Sequence, residues 1–273
     1  MKIFDCFMYF DEDLLLDLRL NILNNFVDKF IIIEAEEDHQ GNKRELKFDI
    51  NKFSKFSDKI NYIPLKTIIL DKSLSLKKNW HIGHLRDQSM RNSIKNYIEE
   101  ANENDWIIIS DLDEIPNPRK FSHFNEKFKF AFFEQNFFNY KFNMLNKSTP
   151  KWYGSRICVK KFLKSPQWLR NIKIKERHFL LKYILRENYH IIKDGGWHFS
   201  DIKTPRELIQ KISSFAHGEL NQDIFKNEEI INKKIENLKD IFDRPIKYEK
   251  VIIDKDFPDY FVENKHIYQN WII

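Results

Sequence analysis

Three acids within four positions, Asp111, Asp113 and Glu114, follow the apolar run Trp106–Ile109. Carboxylates at i and i+2 can present hard oxygen ligands to one point, which suits Mg²⁺ or Mn²⁺ rather than zinc. The acids sit where a buried strand opens onto solvent, and Pro116 and Pro118 then forbid a return to regular structure. The bland alternative is a solvated acidic turn, since Asp is common at strand ends. A second constellation is Asp194-Gly195-Gly196-Trp197-His198-Phe199-Ser200, which contains the one Gly-Gly of the chain. Paired glycines let a backbone approach a ligand closely. Trp197 offers a flat apolar face and His198 an imidazole, although His198 could equally be a hydrogen-bonded core histidine.

The elements that must position these groups read as an α/β chain. Lys2–Phe10, Phe30–Ile33, Ile60–Pro64, Ile68–Leu70 and Trp106–Ile109 have the composition of strands. Glu12–Asn25 places Leu14, Leu15, Leu18, Ile22 and Leu23 on one helical face, and His81–Ala101 is expected as a long helix. His84, Gln88, Arg91 and Lys95 line one polar stripe of that helix, with His84 and Gln88 read as surface. Strand–helix–strand–strand–helix–strand over the first 110 residues predicts a mostly parallel sheet covered by helices. Ligands in such sheets bind beyond the carboxyl ends of the strands, which puts Asp5, Phe10, Glu34, Asp111 and Asp113 on one rim.

Beyond the prolines the pattern changes. Lys129–Phe142 is aromatic and reads as a strand or hairpin. Arg156–Leu163 and Tyr189–Ile192 read as further strands, with the Gly-Gly stretch as a loop after the latter. Thr204-Pro205-Arg206-Glu207 is a helix start with Thr as N-cap, Pro at the first position and Glu three after the cap. That helix should reach His217-Gly218, and Asn227–Phe242 should form a second, charged one. With no internal repeat and no linker, one domain is expected over 1–273. Its parts by pattern are 1–118, 119–220 and a helical, aromatic tail (221–273), the first two read with the resemblance given below as a nucleotide-sugar-binding half and an acceptor and metal half.

Composition excludes several classes. The two cysteines, Cys6 and Cys158, provide neither a disulfide framework nor a zinc cluster. Acids interrupt the N-terminal apolar stretch and no run approaches a membrane span, so a cytoplasmic protein is expected. Net charge is +5, but residues 141–193 carry 14 Lys/Arg against Glu176 and Glu187. A basic middle beside an acidic strand end suits a phosphate-bearing ligand, an anionic acceptor or a peripheral membrane contact. Acids, Gly-Gly-Trp-His and the basic middle together make a metal–diphosphate site, for which a nucleotide sugar is the natural donor.

FDCFMYF…LDLRLNIL, VDKFIIIEAEEDHQG, the segment around Gln88–Asn92, IIISDLDEIPNP, DGGWHFS and KISSFAHGEL, in this order, resemble glycosyltransferase family 17 over roughly 1–220. The resemblance implies a GT-A type, Rossmann-like fold with a smaller mixed β region and C-terminal helices. It also implies a metal-dependent, inverting transfer from UDP-GlcNAc. Asp111 and Asp113 match the DxD that holds Mn²⁺ or Mg²⁺ against the diphosphate, with Glu114 following. The resemblance makes His198 a further metal ligand and His217 a second site candidate. Glu34 and Arg91 become donor contacts alongside Asp111, Gly195, Gly196 and Trp197. Animal members of the family carry a membrane anchor, and none is expected here. A lipid-linked or polysaccharide acceptor is therefore expected in place of a glycoprotein. The base that an inverting transfer requires is left between Glu134, Asp194 and His217.

Two rival classes make different demands. A phosphotransferase with a nucleophilic Asp would keep a second acidic pair at a later strand end, and none is present. A non-enzymatic binder of nucleic acid or acidic glycan would leave the acids without a role.

Overall fold

The computed structural model describes residues 1–74, 82–125, 127–174, 189–214 and 225–273. Among the described residues, one eleven-stranded sheet draws strands from Ile3 to Lys250. Its first part is parallel: β1 (Ile3–Met8) lies between β2 (Lys29–Ala35) and β4 (Trp106–Ile109), and β3 (Ile60–Leu65) extends the edge beyond β2. The order β3-β2-β1-β4 follows from the helical crossovers, α1 (Asp13–Leu23) after β1 and α2 (Ile82–Ser93) before β4.

The strands are buried on both faces, which is why they read as continuous apolar runs. Phe7, Phe30, Ile32 and Ile108 pack with α1 and with Phe257, Phe261 and Tyr268 of the C-terminal tail. Phe4, Cys6, Ile31, Ile33, Ile107 and Ile109 pack on the other face with Met90, Ile94 and Leu169.

The first 110 residues give the expected parallel strands; past β4 the sheet turns mixed, and this part, expected to be the smaller, supplies seven of the eleven strands among the described residues. β9 (Arg156–Val159) runs antiparallel to β4, and β6 (Phe130–Asn139) antiparallel to β9. β5 (Glu114–Pro116), β7 (Met144–Asn146), β8 (Lys151–Trp152) and β11 (Tyr248–Lys250) add short antiparallel pairings.

The largest departure is at Gly195-Gly196. No loop follows Ile192; β10 runs unbroken from Tyr189 to Ser200, parallel to β6 and antiparallel to β5, with a bulge between Ile192 and Gly196. Gly196 has φ +143°, and a Cβ there would stand 2.2 Å from the Ile115 carbonyl oxygen. The glycines are needed for the approach of two strands.

Other boundaries shift for local reasons. Residues Ile68–Leu70 form no strand, Arg156–Leu163 bends into a 3₁₀ turn at Lys160, and the second helix passes into a 3₁₀ turn at Ile94. Gln88, expected on the surface, is buried. The capping box is present: Glu207 N–H donates to Thr204 Oγ1 at 3.3 Å and Thr204 N–H to Glu207 Oε2 at 2.7 Å, opening α4 (Pro205–Ser214). α5 (Glu228–Glu236) is shorter than expected and packs Ile231 and Ile235 beside Leu208, Tyr140 and Met144. No helix among the described residues is long and apolar enough to cross a membrane.

Candidate active site

A cleft of about 600 Å³ opens over the carboxyl ends of β1 and β4. Its floor is the acid loop after β4, shaped by a side chain that sequence reasoning passed over. Arg19, on α1, is fully buried and forms a two-pronged ion pair with Asp5, Nε to Oδ2 at 2.8 Å and Nη2 to Oδ1 at 2.6 Å. The same guanidinium donates to the carbonyls of Asp111, Leu112 and Glu114 at 2.9–3.0 Å and to Ser110 Oγ at 2.5 Å. A planar fork of five N–H groups suits this task in a way a lysine cannot match. The signal was an arginine set among leucines, at i+4 from Leu15 and i−3 from Ile22.

The three acids do different jobs. Glu114 is buried; it accepts from Trp152 Nε1 at 2.7 Å, from Arg170 Nη1 at 2.6 Å, and from the Asp111 N–H at 2.9 Å. Gly154 makes room for it, because a Cβ there would stand 1.9 Å from Glu114 Oε1. Asp111 reaches the cleft but is clamped by Arg91 at 3.0 Å and Arg170 at 2.8 Å. Burial acts to raise its pKa, but Arg170 and Arg91 outweigh that and hold it well below the usual range. Arg170 comes from α3 (Pro166–Asn171), inside the basic middle, and is an internal counter-ion rather than part of a solvated face.

Asp113 is the acid left to the cleft. Its carboxylate meets His198 Nε2 at 3.4 Å, and its carbonyl accepts from Phe199 N–H at 2.9 Å. β10 places this pair by register, with His198 opposite Glu114 of β5. His198 stacks on Phe137 with centroids 4.5 Å apart, and its buried Nδ1 has no partner among the described residues. Burial acts to lower the His198 pKa, but the carboxylates of Asp113, Glu114 and Asp111 outweigh it and raise the value.

Among the described residues no three His, Cys, Asp or Glu side chains form a ready-made metal cluster. Asp113 and His198 nevertheless suit a small hard cation that takes a carboxylate, an imidazole and its remaining oxygens from a bound diphosphate. The far wall adds Asp201, Lys203 and Lys211. Asp201 has φ +59°, an uncommon backbone for a residue other than glycine. Its Oδ1 accepts from Lys211 at 2.8 Å, while Oδ2 meets Ser200 Oγ at 3.5 Å.

The remaining expected site residues fall elsewhere. Glu34 is buried behind the cleft, where it accepts from the Lys47 and Phe48 N–H groups and the Tyr62 hydroxyl and pairs with Arg44 at 2.8 Å. It holds in place the loop whose Arg44 and Lys47 do line the cleft. Arg91 is buried behind Asp111. Trp197 is in the core with Nε1 donating to the Asp256 carbonyl at 2.8 Å, so it offers no free face. Gly195 packs against β6, where a Cβ would meet Glu134 N at 2.9 Å. Asp194 is exposed away from the cleft, and Glu134 is taken up by Lys193 at 2.7 Å and Tyr153 at 2.9 Å. His217 lies outside the described residues.

An acid loop held at the carboxyl ends of parallel strands marks the place where a ligand binds in an α/β sheet, and the family of the chain supplies the reaction. The model for glycosyltransferase family 17 matches residues 1–254, and the chain belongs to that family. It is a glycosyltransferase, a class that uses a nucleotide-sugar donor and a glycan acceptor. A search of curated proteins finds no match to the chain.

Proposed function

We propose that this glycosyltransferase, with a GT-A type arrangement, moves GlcNAc from UDP-GlcNAc onto a lipid-linked or polysaccharide acceptor with inversion, using Mn²⁺ or Mg²⁺. The observation that carries the reading is the Asp113–His198 pair at 3.4 Å, facing the cleft from a loop whose other two acids, Asp111 and Glu114, are already paired with arginines. Asp113 and His198 would hold the ion, which when bound neutralises charge on the departing diphosphate. Arg91 and Arg170 fix Asp111, Arg19 fixes the loop backbone, and the opposite wall carries two ion pairs, Lys203 with Asp11 and Lys211 with Asp201.

Glu134 and Asp194 lie away from the cleft, so the role of base passes to Asp201, with His217 as the remaining candidate. Asp201 keeps its carboxylate ionised: burial acts to raise its pKa, and Lys211 outweighs that. One oxygen is then left to take a proton from an acceptor hydroxyl. The test is thermal denaturation with nucleotide sugars, with and without Mn²⁺, because a ligand bound to the native state raises apparent stability. UDP-GlcNAc with Mn²⁺ is expected to give the largest shift. A larger shift with a GDP- or CMP-sugar removes the donor assignment, and no dependence on Mn²⁺ removes the metal.

A further inference from the structure

Trp152 is a large aromatic side chain placed where burial alone would not put it. Of the large apolar side chains that are exposed among the described residues, Trp152 alone lines the cleft. The residue is 36% exposed. It is also fixed: Nε1 donates to the buried carboxylate of Glu114 at 2.7 Å, which Arg170 holds in turn. The ring leans on Phe137 with centroids 5.4 Å apart and on His198 at 5.0 Å. Main-chain pairing of β8 with Gln135 of β6 sets the height of the residue above the sheet. The aromatic run 132–142 mostly faces inward; Phe132, Phe133, Phe138, Tyr140 and Phe142 are all buried. The exposed ring therefore comes from the next strand.

A flat, apolar surface that is polar-anchored and held before any ligand arrives binds at little ordering cost. In a cleft lined with charges, it fits a ligand with one apolar flat face and a polar rim. A pyranose ring has that form, with axial C–H groups on one face and hydroxyls around its edge. A uracil ring is also flat, but Trp152 lies across β9, β4 and β1 from the β2 end of the cleft, where Ala35, Asp38 and Arg44 form the wall. The indole also touches His198, at the reacting end rather than the nucleoside end. We infer that Trp152 is the stacking platform for the pyranose ring of the acceptor. This rests on the glycosyl-transfer reading above and adds a subsite to it.

The test uses methyl β-glycosides of glucose, galactose, mannose and GlcNAc as probes. Their contact with the protein is followed by saturation-transfer NMR, alone and with saturating UDP-GlcNAc and Mn²⁺. At least one glycoside should receive transfer chiefly at its ring C–H protons in the wild type, both with and without donor. Trp152→Phe should weaken that contact several-fold, and Trp152→Leu, which keeps apolar bulk but no flat ring, by tenfold or more. Neither change should alter the thermal shift given by UDP and Mn²⁺. Folding of the variants is read from the same melts, and if either fails to fold, oxidation of exposed indoles in the wild type, with and without glycoside, replaces it. No glycoside contact in the wild type, contact unchanged in Trp152→Leu, or no protection of Trp152 overturns the inference. Displacement of the glycoside by UDP-GlcNAc overturns it too, since the ring would then serve the donor. Loss of the UDP shift in the wild type instead removes the donor assignment and leaves the glycoside result to stand by itself.

Discussion

Asp113 and Glu114 are adjacent in the chain and opposite in circumstance. Glu114 is buried and accepts from an arginine, an indole and a backbone amide. Asp113 touches one imidazole and otherwise faces the cleft. A satisfied carboxylate contributes shape, and one left short of partners is available for chemistry. The loop thus separates scaffold from working group within two residues, and each half can be broken without the other.

The largest effect should come from Asp113→Ala. It should cut transfer on the order of 10³-fold or more, because charge neutralisation at a leaving group is worth several kcal/mol. The measurement is turnover of UDP-GlcNAc with Mn²⁺, and a melting temperature near the wild-type value would show that the scaffold is intact. Near-normal turnover would remove Asp113 from the working half.

Asp201→Asn should follow, with turnover reduced about 10²-fold or more for loss of a general base. Asparagine tolerates the left-handed backbone at this position, so the change isolates the charge. Retained turnover with UDP binding unchanged would return the base to His217.

Glu114→Gln should do the reverse of Asp113→Ala, costing roughly 2–3 kcal/mol of stability because Arg170 keeps its charge and loses part of its partner. Chemical denaturation reads it, and a variant as stable as the wild type would erase the contrast between the two acids.

His198→Ala should weaken Mn²⁺ binding in the presence of UDP roughly 10–100-fold, the range for losing even a supporting group at a metal site. Calorimetry with UDP present reads it, and unchanged affinity would shift the assignment to His217.

The smallest effect tests a satisfied carboxylate far from the cleft. Asp240 accepts from Arg244 at 2.7 Å and from the hydroxyls of Tyr140 and Tyr248. Burial acts to raise its pKa, but Arg244 and these hydrogen bonds outweigh it and lower the value. A depressed carboxyl contributes stability above its unfolded pKa and loses it as pH falls through the folded one. Asp240→Asn should therefore cost about 1 kcal/mol near neutral pH, and the deficit should begin to shrink below about pH 4 and vanish once the pH has fallen through the lowered folded value. A deficit unchanged by pH would mean that packing, not charge, is at stake.

Much of this arrangement was legible locally. The β4 run, the acids after it and the Thr204–Glu207 cap depend on near neighbours, and each appears where expected. The partners of those acids were not legible. Arg170 looked like one more cation of a basic segment, and only α3 packing on β4 turns it toward Asp111. Gly195-Gly196 looked like a ligand loop because glycine reports close approach without saying what approaches; the neighbour is β5. Glu34 ends a strand on the expected rim, yet Arg44, Tyr62 and two amides draw it inside.

The pairing of β10 with β5 carries a consequence for the order of assembly. Asp113 and His198 meet only after a strand far along the chain has zipped against the residues following β4. Contacts between residues so distant in sequence must overcome a large loop-closure entropy before they gain anything, so they form late in folding. A chain emerging from the ribosome can complete the parallel sheet of β1 to β4 well before it owns both halves of the Asp113–His198 pair. Donor-dependent protection from proteolysis during refolding should then lag behind the recovery of helical signal, and the active site becomes a timer for the completed fold.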